Sequence, residues 1–255
     1  MEKTKTNIAD TENLDYTIQI DKLNKSFGNK HVLKGFSLNV PEGKTYAVVG
    51  KSGSGKSVLI KCIIGLLKPD AGNIIVLGNN VTELNSYELD ALRMKMGFLF
   101  QSNALYDSMT VRSNLEFPLR RHGIKKTEEE VDALVKEALE NVGLPETENM
   151  MPEELSGGMK KRIALARTLI LKPEVVLYDE PTTGLDPITG SDISHLMVNL
   201  QKKYNITSIV ITHDLKCIKI VADKVVMLIN GSNYASGSYE ELQKHEDKEV
   251  SSFFK

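Results

Sequence analysis

Apolar residues along this chain follow two different periods, and the places where the period changes set out its organisation. Residues 36–40, FSLNV, alternate apolar with polar; Pro41 and Gly43 then punctuate. Residues 45–50, TYAVVG, form a near-continuous apolar run of the kind a strand covered on both faces requires. Residues 57–67, SVLIKCIIGLL, have helical length and period, and residues 67–80, LKPDAGNIIVLGNN, turn back into another strand. This β-loop-α-β order predicts an α/β domain.

The middle of the chain changes to a helical period. Residues 127–142 place Val131, Leu134, Val135, Ala138, Leu139 and Val142 on one helical face, with Thr127 and Glu130 as a capping box and Gly143 just past the end. A second helix is expected through residues 111–123, VRSNLEFPLRRHG, interrupted near Pro118 because proline lacks the N–H that a helix interior uses. From about Gln101 to Glu154 the pattern is therefore helical, inserted between α/β halves. Buried-strand runs then resume at residues 174–180, EVVLYDE, and 206–214, ITSIVITHD, and residues 223–231, DKVVMLING, open a hairpin. The last residues, EELQKHEDKEVSSFFK, read as a polar helix or coil with an apolar end.

Composition narrows the picture. Of 255 residues, 41% are hydrophobic and 26% charged, as in an ordinary globular chain. The net charge of −2 exerts no overall pull on nucleic acid or an acidic membrane. The apolar run at residues 58–67 is short and broken by Lys61, so no segment is expected to span a bilayer. Residues 1–15 are polar and partly acidic, unlike a secretory or transit peptide. Cys62 and Cys217 lack metal-ligand spacing, which suits a reducing compartment.

Candidate chemistry begins at residues 50–57. GKSGSGKS matches G-x-x-x-x-G-K-[ST] and joins a predicted strand to a predicted helix, the context that spacing needs. Backbone N–H groups of Gly50, Lys51, Ser52, Gly53, Ser54 and Gly55 can wrap phosphate oxygens, and the helix N-terminus adds a favourable field. Lys56 is placed for the β- and γ-phosphates and Ser57 for Mg²⁺, so ATP with Mg²⁺ is expected. Residues 175–180, VVLYDE, end a strand on two carboxylates: Asp179 suits the metal and Glu180 the attacking water. Alone, that pair is weak evidence, since many strands end on Asp or Glu; beside a phosphate loop it carries weight.

Residues 155–159, LSGGM, open another helix. Ser156 suits the N-cap, and Gly157 and Gly158 leave backbone amides exposed as a second anion site. One ATP rarely needs two such helix starts from one subunit. A head-to-tail pair of subunits resolves this, each lending residues 156–158 to the other's γ-phosphate. Lys160, Lys161 and Arg162, which follow, read as a solvated helix face rather than a nucleic-acid contact.

Taken in order, these motifs resemble those of ATP-binding-cassette (ABC) ATPase subunits over nearly the whole chain. The resemblance implies a P-loop NTPase with a RecA-like core, an antiparallel β subdomain and an inserted α-helical subdomain. The corresponding boundaries are a polar tail at 1–15, the nucleotide-binding core at 16–101 and 157–240, the helical subdomain at 102–156 and a C-terminal tail at 241–255. It also implies that Phe27 stacks on adenine, although a core aromatic would look the same. The implied phosphate loop runs on to Val58. Gln101 is implied to sense Mg²⁺ or the water and to couple to a membrane partner, Asp186 in TTGLDP to belong to the D-loop, and His213 to reach the γ-phosphate. Catalysis is thereby assigned to Lys56, Gln101, Glu180 and His213, and metal binding to Ser57, Gln101 and Asp179. Asp186 before Pro187 is also a sound N-cap by itself. Three departures from the common pattern are Val58 for Thr, Met159 for Gln, and Thr183-Gly184 for Ser-Ala; none removes a charged or phosphate-binding group.

Residues 99–120, LFQSNALYDSMTVRSNLEFPLR, together with Met159 and with Ile188-Thr189 after the D-loop, are similar to the ATPases of MCE-type lipid transporters, the Mla family. The closing VSSFF is a weaker sign, equally readable as a frayed tail. This resemblance implies two copies of the chain beneath an integral-membrane permease, at the cytoplasmic face of a bacterial inner membrane. An MCE substrate-binding protein and often a small STAS-domain protein complete the assembly, which moves phospholipid or another lipid between inner and outer membranes. ATPases for uptake of polar amino acids or similar solutes share most of these motifs and form the alternative.

Overall fold

A computed structural model describes residues 16–254, so the tail read at residues 1–15 lies outside the described residues. The elements run in order β1 (Tyr16–Phe27), β2 (Lys30–Pro41), β3 (Thr45–Val49), α1 (Lys56–Ile63), β4 (Ala71–Val76), β5 (Asn79–Asn80), α2 (Ser86–Met94) and β6 (Met96–Leu99). They continue through α3 (Val111–Arg121), α4 (Glu128–Asn141), α5 (Gly157–Leu169), β7 (Val175–Asp179), α6 (Pro187–Tyr204) and β8 (Thr207–Ile211). The chain closes with α7 (Leu215–Val221), β9 (Lys224–Ile229), β10 (Ser232–Gly237), α8 (Tyr239–Gln243) and α9 (Lys248–Ser251).

Two sheets result. One is antiparallel, in the order β2-β1-β4-β5; the other has the order β10-β9-β3-β8-β7-β6, parallel except for β10. β3, β7 and β8 are apolar almost throughout because helices and the second sheet cover both their faces. Side chains alternate between those faces. Val48, Leu177, Ile209 and Ile211 pack with α1 and the antiparallel sheet; Val176, Tyr178 and Val210 pack with α5, α6 and α7.

The inserted segment packs as its own cluster around Val111, Leu115, Leu119, Val135 and Leu139, joined to the rest through Ile163 and Ala166 of α5 and Ile170 just past its end. The Thr127–Glu130 capping box forms as expected, with Thr127 Oγ1 accepting from the Glu130 N–H at 3.3 Å and Glu130 Oε2 from the Thr127 N–H at 2.9 Å.

Three expectations change. α3 runs unbroken through Pro118. Its buried Val111, Leu115 and Leu119 face, together with an Arg112 guanidinium paired to Glu116, Asp132 and Glu148, outweighs one missing backbone bond. Residues 101–110 form a loop rather than a helix, with Asn103 and Ala104 both at positive φ. The C-terminal end is no frayed tail: Val250 and Phe254 are buried against Ala47, Val49, Ile218, Val225 and Met227. Replacing Phe254 with Ala is therefore expected to cost about 3 kcal/mol of unfolding free energy, as for other buried aromatics. Urea denaturation measures this, and an unchanged midpoint would mean that the end of the chain does not hold the core together.

Candidate active site

Four neighbouring parallel strands, β3, β8, β7 and β6, deliver the candidate residues from their C-terminal ends. Register aligns those ends: Val48 lies beside Ile211, Asp179 beside Ile211, and Leu99 beside Tyr178. β3 therefore empties into the loop beginning at Gly50, β7 into Glu180, β8 into Thr212 and His213, and β6 into Phe100 and Gln101. Open parallel sheets characteristically bind ligands at this edge.

These ends line one cleft of about 780 Å³, a volume suited to a nucleotide. Its walls include Phe27, Gly50, Lys51, Ser52, Gly53, Gly55, Lys56, Ser57, Val58, Gln101, Asp179, Glu180 and His213. Lys30, Val32, Ile211 and Phe253 join them, none of which was singled out from the sequence. Phe27 stands 47% exposed at the rim, so it is a free aromatic face and not a core residue. Lys25 Nζ lies 5.5 Å from its ring centroid.

The loop itself is pre-shaped. A Cβ at Gly50 would come within 2.4 Å of the Leu228 carbonyl oxygen, so the backbone passes where only glycine fits. Ser54 Oγ is buried there without a hydrogen-bond partner among the described residues. Lys56 folds back to donate to the Gly50 and Lys51 carbonyls at 2.8 and 3.1 Å. Burial depresses its ammonium below the ordinary lysine value, against the pull of Glu180 and Asp179.

Glu180 is the most constrained member. Its φ is +52°, costly for a side chain without special reason, and its N–H donates to the Ile211 carbonyl at 2.8 Å. Thr183 and Thr212 hydroxyls each donate to Glu180 Oε2 at 3.2 Å, and His213 Nδ1 lies 2.9 Å from Oε1. The structure thus places His213 against the carboxylate, a contact the sequence reading did not anticipate. It also gives Thr183, noted only as a departure, a definite partner. Thr183, three residues beyond Glu180, was within local reach in the sequence, whereas Thr212, 32 residues away, carried no local signal.

Asp179 is half-buried beside Glu180, and burial followed by that neighbouring charge raises its carboxyl above the ordinary value. Ser57, Asp179 and Gln101 offer the hard oxygen donors that Mg²⁺ takes. Among the described residues no group of three His, Cys, Asp or Glu could enclose a metal, so substrate oxygens and water would complete its shell.

Ser156, Gly157, Gly158 and Asp186 do not line this cleft. Ser156 caps α5, accepting from the Met159 N–H at 3.2 Å, and Asp186 caps α6 through the Ile188 and Thr189 N–H groups. The two caps touch: a Cβ on Gly158 would sit 2.7 Å from Thr189 Cγ2. One expectation fails outright. Lys161, read as part of a solvated face, is 1% exposed, because α5 is wedged between the core and the helical cluster and turns that position inward.

Comparison with known proteins gives the following matches. The family model described as ABC transporter matches residues 33–183. The chain is 38% identical over 237 residues to the probable ribonucleotide transport ATP-binding protein Mkl of Mycobacterium tuberculosis; the match covers 93% of this chain and 66% of that one. It therefore spans just under two thirds of that relative's length. Identity is 37% over 238 residues to the intermembrane phospholipid transport system ATP-binding protein MlaF of Haemophilus influenzae, covering 93% and 90%. It is 39% over 225 residues to the methionine import ATP-binding protein MetN of Clostridioides difficile, covering 88% and 70%. Among solved structures, a dimeric post-hydrolysis ATP-binding cassette bound to ADP and Pi superposes with a TM-score of 0.78 at 31% identity, covering 87% and 98%.

The Asp179 environment makes a pH-dependent prediction. A carboxyl raised on folding binds its proton more tightly in the folded chain, so its charge opposes folding increasingly as pH rises through that raised value. Asp179→Asn should melt at a higher temperature than the native chain near neutral pH. The gap should close as pH falls toward about 3.9, the ordinary Asp value. Mg²⁺-ATP should raise the melting temperature of the native chain and leave that of this variant unchanged. Equal melting temperatures at all pH values would refute the assigned electrostatics.

Proposed function

The chain belongs to the ABC transporter family, and on that premise we propose that it is the ATP-hydrolysing subunit of a transporter moving lipid between two membranes. The observation carrying the hydrolytic part is the carboxylate of Glu180, fixed by two hydroxyls and His213 at the edge of the cleft that holds Lys56 and Ser57. A carboxylate so held accepts a proton from water at the γ-phosphate. Backbone N–H groups of the phosphate loop and Lys56 bind and orient the phosphates, and Phe27 supplies a stacking face for the base. A Mg²⁺ ion held by Ser57, Asp179 and Gln101 would supply charge neutralisation between phosphate oxygens.

Two copies arranged head to tail complete the site. Residues 156–158 of one copy lie outside its own cleft and are offered at an N-capped helix start, as a second phosphate contact demands. Binding energy that depends on the γ-phosphate closes the pair, and loss of phosphate opens it.

The segment after β6 supports the reading of partner and cargo. Of its apolar residues, Val111 and Leu115 are core, Leu105, Met109 and Phe117 are half-buried, and Phe100, Ala104 and Tyr106 are exposed. Tyr106 packs against Phe117 with ring centroids 4.7 Å apart and planes tilted by 49°, so the two rings form one aromatic surface. This surface suits a short cytoplasmic helix of an integral-membrane permease. Its sequence resemblance to the Mla ATPases and the match to MlaF across 90% of that relative support lipid as cargo, with an MCE substrate-binding protein and a STAS-domain protein in the assembly. Among the described residues no helix is long and apolar enough to cross a membrane, so the permease would hold the chain at the cytoplasmic face of a bacterial inner membrane. The identity to MetN favours a second reading, the ATPase of an amino-acid importer.

Glu180→Gln should hydrolyse ATP about 10²-fold more slowly while still binding it, measured by single turnover and by a fluorescent ATP analogue. Native-rate turnover would remove Glu180 as the base. Tyr106→Glu should retain nucleotide binding and lose the permease on affinity purification from solubilised membranes. In the same purification the native chain should bring down a permease, an MCE protein and phospholipid. Recovery of a soluble solute-binding protein in their place would favour the importer.

A further inference from the structure

Helix α5 touches the core, the inserted helical cluster and the loop after β6. It starts at the Ser156–Gly158 turn, packs one face on the core through Ala164, Leu165 and Leu169, and packs the other on the helical cluster through Ile163 and Ala166. It also carries two cations, Lys161 and Arg167, that have no ion-pair partner among the described residues. Lys161 is buried, and desolvation lowers its ammonium to about 8. Burying a cation without a carboxylate is costly, so its one hydrogen bond among the described residues matters. That contact is the backbone carbonyl of Gln101, 3.2 Å from Lys161 Nζ.

Arg167 repeats the arrangement further along the helix. Its guanidinium donates to the Ala104 carbonyl at 2.8 Å and the Asn103 carbonyl at 3.1 Å. Asn103 and Ala104 have φ of +61° and +52°, a strained conformation for residues with side chains unless the surroundings over-determine it. Beyond them, buried Asn114 accepts from the Tyr106 N–H at 2.8 Å and donates to the Met109 and Thr110 carbonyls. The loop from Gln101 to Thr110 is therefore tied, carbonyl by carbonyl, to α5 and α3.

We infer that Lys161 is a positioning residue for Gln101: with Arg167 it clamps the carbonyls of Gln101, Asn103 and Ala104 to α5, so that the loop and the Ser156–Gly158 turn move as one body. In a head-to-tail pair, docking of that turn on the partner's nucleotide then sets the place of Gln101 at the chain's own nucleotide. The inference rests on the hydrolytic role proposed for Gln101.

A double-mutant cycle on the full chain tests it. Lys161→Met removes the donor at nearly constant volume and relieves a buried charge, so the variant should melt no lower than the native chain. Its kcat should fall roughly tenfold through misplacement of Gln101, with KM for ATP within about twofold. Lys161→Arg, which keeps a buried donor, should recover most of the rate. Combined with Gln101→Ala, Lys161→Met should add no further loss, because both changes act through one side chain. Lys161→Gln, with a shorter donor, gives an intermediate kcat and serves if the Met variant does not fold. A native kcat in Lys161→Met, or losses that multiply in the double variant, overturns the clamp. A native kcat in Gln101→Ala instead overturns the role of Gln101 itself, a separate failure.

Discussion

The alignment of four parallel strand ends is the constraint on which the rest of this protein depends. β3, β8, β7 and β6 are hydrogen-bonded side by side in fixed register, so the groups that follow them emerge at one edge of the sheet. The phosphate loop, the Glu180 carboxylate, His213 and Gln101 come from parts of the chain far apart in sequence. They meet because each strand is buried on both faces, and a slip by one residue would send every side chain into the opposite layer, where it does not fit. The geometry of the proposed site is thus inherited from core packing.

What stands at that edge is held at some cost to stability. Asp179 and Glu180 place two carboxyls side by side, Lys56 is partly desolvated, and Glu180 has a left-handed backbone. Such conflicts are common at sites organised for function at the expense of stability. The cation of Lys56, the two threonine hydroxyls and His213 compensate in part. The same logic extends to α5, whose buried Lys161 and half-buried Arg167 serve backbone carbonyls and, among the described residues, no counter-ion.

The sequence makes the local features legible. The phosphate loop, the Thr127–Glu130 box and the caps at Ser156 and Asp186 depend on residues a few positions apart, and each cap forms where its spacing puts it. Features set by distant packing were hidden. Lys161 looked solvated because its partner lies 60 residues away. Pro118 looked like a break because the Arg112 ion pairs and the helical cluster that override it come from other elements. Periodicity likewise could not divide residues 104–117 into core and surface, since that division depends on which face meets α5. The apolar residues near the C-terminus had no visible destination until β9 and α7 were in place beneath them.

The central claim, that each nucleotide is held between two copies, has a direct test by mixing. Lys56→Ala disables the phosphate loop, and Ser156→Arg disables the helix start that a partner would use. Each variant alone should be inactive in ATP hydrolysis. In a mixed pair, one site unites the intact loop of the second variant with the intact helix start of the first. Mixing should therefore restore hydrolysis, and a mixture as inactive as its components would contradict a shared site.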